Sequence, residues 1–176
     1  MRNNLSALLL LLLSGVLLTK GTSEVYLRYK LPSTSYETEQ TKPLSKLANV
    51  EPIKLSIESI SLSSPISTTK DTWVYPENSL VYLKNSAQPG QKGNTVIYGH
   101  NFKSLLGNLN DTKLGDKISI QLTNGEIISY TITNKYNVTP DQTHILNQTQ
   151  DIRLTLFTCS GFLDSKRLVV IAKANL

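Results

Sequence analysis

Cysteine is nearly absent from this chain: among 176 residues there is one, Cys159. A single thiol excludes an internal disulfide, so the fold has to stand on burial alone. Histidine occurs twice, at His100 and His144. One Cys and two widely spaced His contain no close ligand pair of the kind a zinc site uses. No acidic cluster marks a calcium site either, so neither a metal nor a cofactor is expected. The net charge of +5 has no focus: residues 1–49 hold six Lys/Arg against three Asp/Glu, and residues 50–176 hold twelve against ten. Nucleic-acid binding normally shows as clustered Lys/Arg, and no such cluster exists. Also missing after residue 50 is any stretch that keeps a helical period over three turns.

What is present begins with an apolar run from Leu5 to Leu18, broken only by Ser6, Ser14 and Gly15 and preceded by Arg2. Its 14 residues fit an export core better than a full membrane span, which takes about 20 residues. No good A-x-A-like site follows, Gly21-Thr22-Ser23 being only a passable one, so the segment reads as an uncleaved hydrophobic anchor, a reading that rests in part on the resemblance given below, with secretion as the outcome if cleavage occurs. Residues 21–49 are rich in Ser, Thr, Lys, Glu and Gln with Pro32 and Pro43, the composition of a linker. A domain boundary near residue 50 follows, giving segments 1–20, 21–49 and 50–176.

Beyond the boundary, short strands recur between turn signals. Ile53 to Ile57 alternates, and Pro65-Ile66 and Trp73 to Tyr75 read as strand pieces. Pro89 to Asn94 is a turn that launches a strand over Thr95 to Tyr98, ending in Gly99-His100. Phe102 to Leu109 suits one helical turn. Lys117 to Leu122 and Ile127 to Thr133 form a hairpin about Asn124-Gly125, expected to be of type I′. A polar connection runs from Lys135 to Asp151. Ile152 to Cys159 alternates again, with Leu154 and Leu156 on one face and Arg153, Thr155 and Phe157 on the other. After a Ser/Gly/Asp/Lys loop, Arg167 opens the last run, Leu168 to Ala172. The fold class is therefore mostly β, and closure into a barrel is the way to hide its sheet edges.

If the last two strands pair through their loop, a thiol and a guanidinium meet at one end of a sheet. The cation favours the thiolate, which makes Cys159 a candidate nucleophile; the plainer alternative is a buried structural cysteine. His100, at a strand end beside Gly99, is the candidate acid and base, with His144 in its polar loop as the fallback. Thr158, alternating with Cys159, points to the opposite face and suits packing or backbone support.

Three segments together, P-G-Q-K-G-N-T-V-I-Y-G-H at 89–100, L-T-L-F-T-C at 154–159 and R-L-V-V at 167–170, resemble the sortases, cysteine transpeptidases that attach proteins to bacterial surfaces. The similarity covers roughly residues 50–176, and T-L-F-T-C matches the family's T-L-x-T-C pattern in full. The resemblance implies an eight-stranded sortase barrel with one or two short helical turns, behind an N-terminal hydrophobic helix. It implies catalytic positions at His100, Cys159 and Arg167, and a substrate-walling loop over Lys135 to Asp151. It further implies an LPxTG-like sorting signal on exported proteins as substrate, a Cys thioester, and an amine acceptor, either a peptidoglycan precursor or a pilin-like lysine. The enzyme is then held at the cell membrane by a single pass, its catalytic domain outside. The competing reading is a non-enzymatic exported β-barrel module for adhesion or assembly, in which Cys159 is buried. A papain-like hydrolase is disfavoured, since those place the cysteine early, on a helix and before the histidine.

Overall fold

The computed structural model describes residues 50–69 and 75–174. The expected anchor, linker and Trp73 lie outside the described residues, as do residues 175 and 176. Among the described residues no helix is long and apolar enough to cross a membrane. They form eight strands: β1 (Pro52–Ile57), β2 (Leu62–Thr69), β3 (Leu80–Leu83), β4 (Gly93–Tyr98), β5 (Lys117–Leu122), β6 (Ile127–Val138), β7 (Ile152–Ser160) and β8 (Lys166–Ala174). They close into a barrel in the order β1-β2-β3-β4-β7-β8-β6-β5, which leaves no edge unpaired. Helical structure among them is limited to four 3-10 turns, Glu58–Ile60, Leu109–Asp111, Thr143–Leu146 and Phe162–Asp164.

Alternation builds the barrel wall. Leu154, Leu156, Leu168, Val170 and Ala172 face the interior with Leu55, Ile57, Ile118, Ile120 and Tyr130. One mouth is closed by the segment after His100, whose Leu105, Leu106 and Leu109 join the same core. The expected helical turn over Phe102 to Leu109 is instead a run of tight turns ending in the 3-10 turn at Leu109–Asp111. Gly107 permits this, because a Cβ there would sit 2.5 Å from the Asn101 carbonyl oxygen.

On one side the wall is buried on its outer face as well. Val81, Val96, Tyr98, Val138, Phe157, Val169 and Ile171 form a second apolar layer, covered by Tyr75, Ile145 and Leu146. A strand buried on both faces needs apolar residues at successive positions, which explains why Val96 to Tyr98 and Leu168 to Ala172 read as continuous runs. Asn94 ties the cover down. Buried itself, it donates to the carbonyls of Ile145 at 2.9 Å and Asn147 at 3.2 Å, and its Oδ1 accepts from Thr155 Oγ1 at 2.7 Å. Asn94→Ala orphans these partners, and an unmet buried polar group costs about 1–3 kcal/mol. Urea unfolding should show a loss of at least that size, and hydrogen exchange should rise first at residues 143–149; protection unchanged there would remove Asn94 as the tether.

Three local expectations are corrected, and one strand is new. That strand, β3, is four residues long with no separate signal, and it is held by a parallel pair with β2 and an antiparallel pair with β4. The polar connection begins at Thr139 rather than Lys135, because β6 continues to Val138 along β8 past an irregularity between Ile132 and Asn134. Tyr75 is not in a strand. The β5–β6 turn is not type I′: Gly125 has φ 85° but Asn124 is not in the left-handed region. The Gly125 N–H donates to the Leu122 carbonyl and the Leu122 N–H to the Glu126 carbonyl, which is the three-residue loop with glycine at its left-handed position.

Candidate active site

Two pairings bring the three expected residues to one end of the sheet. β4 and β7 run parallel, with Tyr98 opposite Phe157, so both chains leave the barrel at the same end. β4 ends at Tyr98, and His100 follows two residues later from the same end of the sheet at which β7 carries Cys159. β8 returns antiparallel from that end and sets Arg167 directly opposite Cys159. Phe157 and Val169 lie in the outer layer, and side chains two apart on a strand share a face. Cys159 and Arg167 therefore face outward above that layer. The sequence expectation of thiol and guanidinium meeting across the last two strands is met.

Each residue is held by its own surroundings. Thr158, buried and facing inward, donates from Oγ1 to the Gly99 carbonyl at 2.8 Å, which locks the β4 exit to β7, the backbone support expected of it. Glycine at position 99 leaves room for Leu80, since a Cβ would come within 2.7 Å of its Cδ2 and push that side chain aside. The His100 carbonyl accepts from the Leu106 N–H at 3.1 Å. The imidazole stacks on Phe102, with centroids 4.7 Å apart and planes 14° apart, and its Nε2 donates to the Tyr75 carbonyl at 3.0 Å. Arg167 donates from one guanidinium nitrogen to the carbonyls of Asp164 and Lys166, each at 2.9 Å. Those carbonyls belong to the tight β7–β8 turn, in which Leu163 and Asp164 both have positive φ. The turn also lifts Phe162 and Leu163 almost fully into solvent.

Cys159 is half-buried, not sealed in the core, so the structural-cysteine alternative does not hold. The electrostatic expectation needs correction, however. Burial pushes the thiol above its ordinary range; the Arg167 charge pulls it back only in part, and Asp164 adds to the rise. Arg167 favours the thiolate, as expected, but desolvation outweighs it.

His144 is exposed on the 3-10 turn Thr143–Leu146. That turn is anchored through Asn94, which pairs with Arg153, and Cys159 lies six strand steps beyond Arg153, about 20 Å at 3.3 Å per step. The structure thus does not bring His144 to the thiol. Tyr75 and Phe102 were missed as site residues. Phe102, adjacent to the Gly-His strand end, was the more readable; nothing local marks Tyr75, 25 residues before the histidine it contacts. Among the described residues no three His, Cys, Asp or Glu side chains gather as a metal site would require.

Comparison with known proteins agrees with this fold. The family described as the sortase domain matches residues 55–175. Sortase A of Bacillus anthracis is 27% identical over 195 residues, covering 94% of this chain and 90% of that relative. A solved Clostridium perfringens sortase D5 transpeptidase superposes with a TM-score of 0.64 at 28% identity, over 72% of this chain and 79% of the other. A lid mutant of sortase A from Corynebacterium diphtheriae does so with a TM-score of 0.65 at 30% identity, over 83% and 84%. With the eight-stranded barrel, its one cysteine at the end of β7 and the family match across nearly all of the folded region, the chain belongs to the sortase family and is a cysteine transpeptidase.

Proposed function

We propose that Cys159, His100 and Arg167 are the catalytic residues of a membrane-anchored transpeptidase acting on an LPxTG-like sorting signal. The observation that carries this reading is the pairing of three adjacent strands, with Arg167 opposite Cys159 and β4 leaving the sheet at the same end, Tyr98 opposite Phe157, two residues before His100. The Cys159 thiolate attacks the scissile carbonyl, forming a C–S bond. His100 gives its proton to the departing amine as the C–N bond breaks. The incoming amine attacks the thioester, His100 takes its proton, and the thiolate leaves. Arg167 directs N–H donors to the oxyanion of each tetrahedral intermediate. Thr139 to Asp151, covering the outer layer beside the site, walls the groove for the extended signal. Leu5 to Leu18 holds the catalytic domain on the outer side of the cell membrane. The acceptor is a peptidoglycan precursor or a pilin-like lysine amine.

Incubation of the full chain with a library of L-P-x-T-like peptides, followed by mass spectrometry, tests the reading. A covalent adduct on Cys159 with loss of the residues after the scissile bond is expected. Cleavage without any Cys159 adduct, or no adduct from any peptide, overturns it.

The pH profile supplies a second test. The productive form shares one proton between sulfur and imidazole, so activity is bounded by the pH at which the pair gains a second proton and the pH at which it loses its last. Burial raises the thiol, so the alkaline limb is expected above the ordinary thiol range, with a plateau below it. Removing the opposing charge in Arg167→Ala moves that limb further up. A rate that climbs tenfold per pH unit through pH 9, with no plateau, would indicate a plain thiolate without His100 as acid.

A further inference from the structure

We propose that Tyr75 is a positioning residue for His100: its main-chain carbonyl orients the imidazole as the third group behind nucleophile and base, and its ring holds that carbonyl in place. The inference rests on the catalytic role proposed for His100. Nucleophile–base pairs generally need such an orienting group, and among the described residues the acceptor on His100 Nε2 is this carbonyl, at 3.0 Å. A carbonyl only accepts, so Nε2 carries a hydrogen and the neutral ring has its lone pair on Nδ1. Nδ1 is then the nitrogen that takes up and returns the reaction proton. When the ring is doubly protonated the same bond becomes charge-assisted and stronger, so the ring keeps its orientation while it passes the proton to the leaving amine.

The local sequence suits the task. Tyr75 precedes Pro76, which keeps residue 75 out of the helical region and fixes the next φ, so the carbonyl direction is set by the chain. The ring is anchored by aromatic contacts. It meets Tyr98 edge-on at 4.9 Å, and Tyr98 stacks on Phe157 at 5.2 Å, two residues before Cys159. Its centroid lies 5.4 Å from that of His100, while Phe102 stacks on the same imidazole at 4.7 Å. The ring also stands beside the reacting groups. Its hydroxyl is pushed well above the usual tyrosine range, first by burial and then by the Cys159 charge, against the pull of Arg167, with Tyr98 adding a smaller rise. The titratable and charged groups around this corner are thus Cys159 of β7, Arg167 of β8, Tyr98 of β4 and Asp164 of the β7–β8 turn.

The test uses the full chain and separates carbonyl, ring and hydroxyl. Replacing residue 76 by lactic acid converts the Tyr75 carbonyl into a weaker-accepting ester, with Pro76→Ala as its amide control. Tyr75→Ala removes the ring, and Tyr75→Phe removes only the hydroxyl. Imidazole 15N shifts should report the Nε2–H tautomer at His100 in the wild type and in Tyr75→Phe, and a mixture of tautomers in Tyr75→Ala and the ester. Acylation from a peptide amide should slow roughly tenfold in the latter two, since a hydrogen bond to a charged group outweighs one to a neutral group by about that much. A merely structural role would lower stability without moving the tautomer. An Nδ1–H tautomer in the wild type, or an unchanged tautomer in both folded variants, overturns the proposal. If the tautomer responds as expected but His100→Ala still acylates at the wild-type rate, the catalytic reading of His100 falls while the contact stands.

Discussion

Arg167→Lys is expected to slow single-turnover formation of the acyl-enzyme by about 10²–10³-fold, the range for losing one donor to an oxyanion. The reason lies in how the guanidinium is held. One nitrogen is committed to the carbonyls of Asp164 and Lys166, which fixes the plane of the group while its other N–H bonds remain as donors in set directions. Lysine keeps the charge but has no planar fork, so it cannot be anchored on the turn and aimed at substrate together. The same substitution should leave the Cys159 alkylation profile against pH near that of the wild type, because the opposing charge is retained. Arg167→Ala should slow acylation at least as much and also shift alkylation to higher pH, since burial then acts unopposed. A Lys variant that acylates within a few-fold of the wild type would leave Arg167 as a source of field alone.

His100→Ala is expected to lower the acylation rate on a peptide amide by about 10²–10⁴-fold, the usual contribution of a positioned general acid. The loss should depend on the leaving group. An amine must be protonated to depart, whereas the phenolate of a peptide phenyl ester departs unaided, so His100→Ala should acylate from the ester within about tenfold of the wild type. Because the substitution also removes the stack on Phe102, thermal unfolding of the variant has to show an intact fold first. Equal losses on amide and ester would mean that His100 serves the thiol rather than the leaving group.

Much of the barrel is written locally. Lys117 to Leu122 and Ile127 to Thr133 alternate about a glycine turn and do form β5 and β6. Ile152 to Cys159 alternates, and its two faces are the two apolar layers of the structure. Where reading failed, long-range pairing had replaced local pattern. β3 is too short to show a period and exists because β2 and β4 flank it. Asn134 to Asn137 is too polar to read as a strand, yet it is held in one by β8. The hairpin turn type depended on whether Asn124 shares the positive φ of Gly125, a choice the dipeptide alone leaves open.

Local pattern is enough to establish a mostly β protein with one thiol at the end of an apolar strand and an arginine opening the next. Strand alternation and the composition of a short loop are properties of neighbouring residues, so they survive without the fold. That His100, 59 residues before Cys159, leaves the barrel at the same end rests on the fold, through a parallel pairing of β4 with β7 whose register is chosen by which faces are buried rather than by a turn. The tertiary structure alone set the thiol above its ordinary range despite Arg167, since desolvation depends on the outer layer packed beneath the site. It also brought Tyr75 onto His100, a contact made by two chain segments that share no pattern.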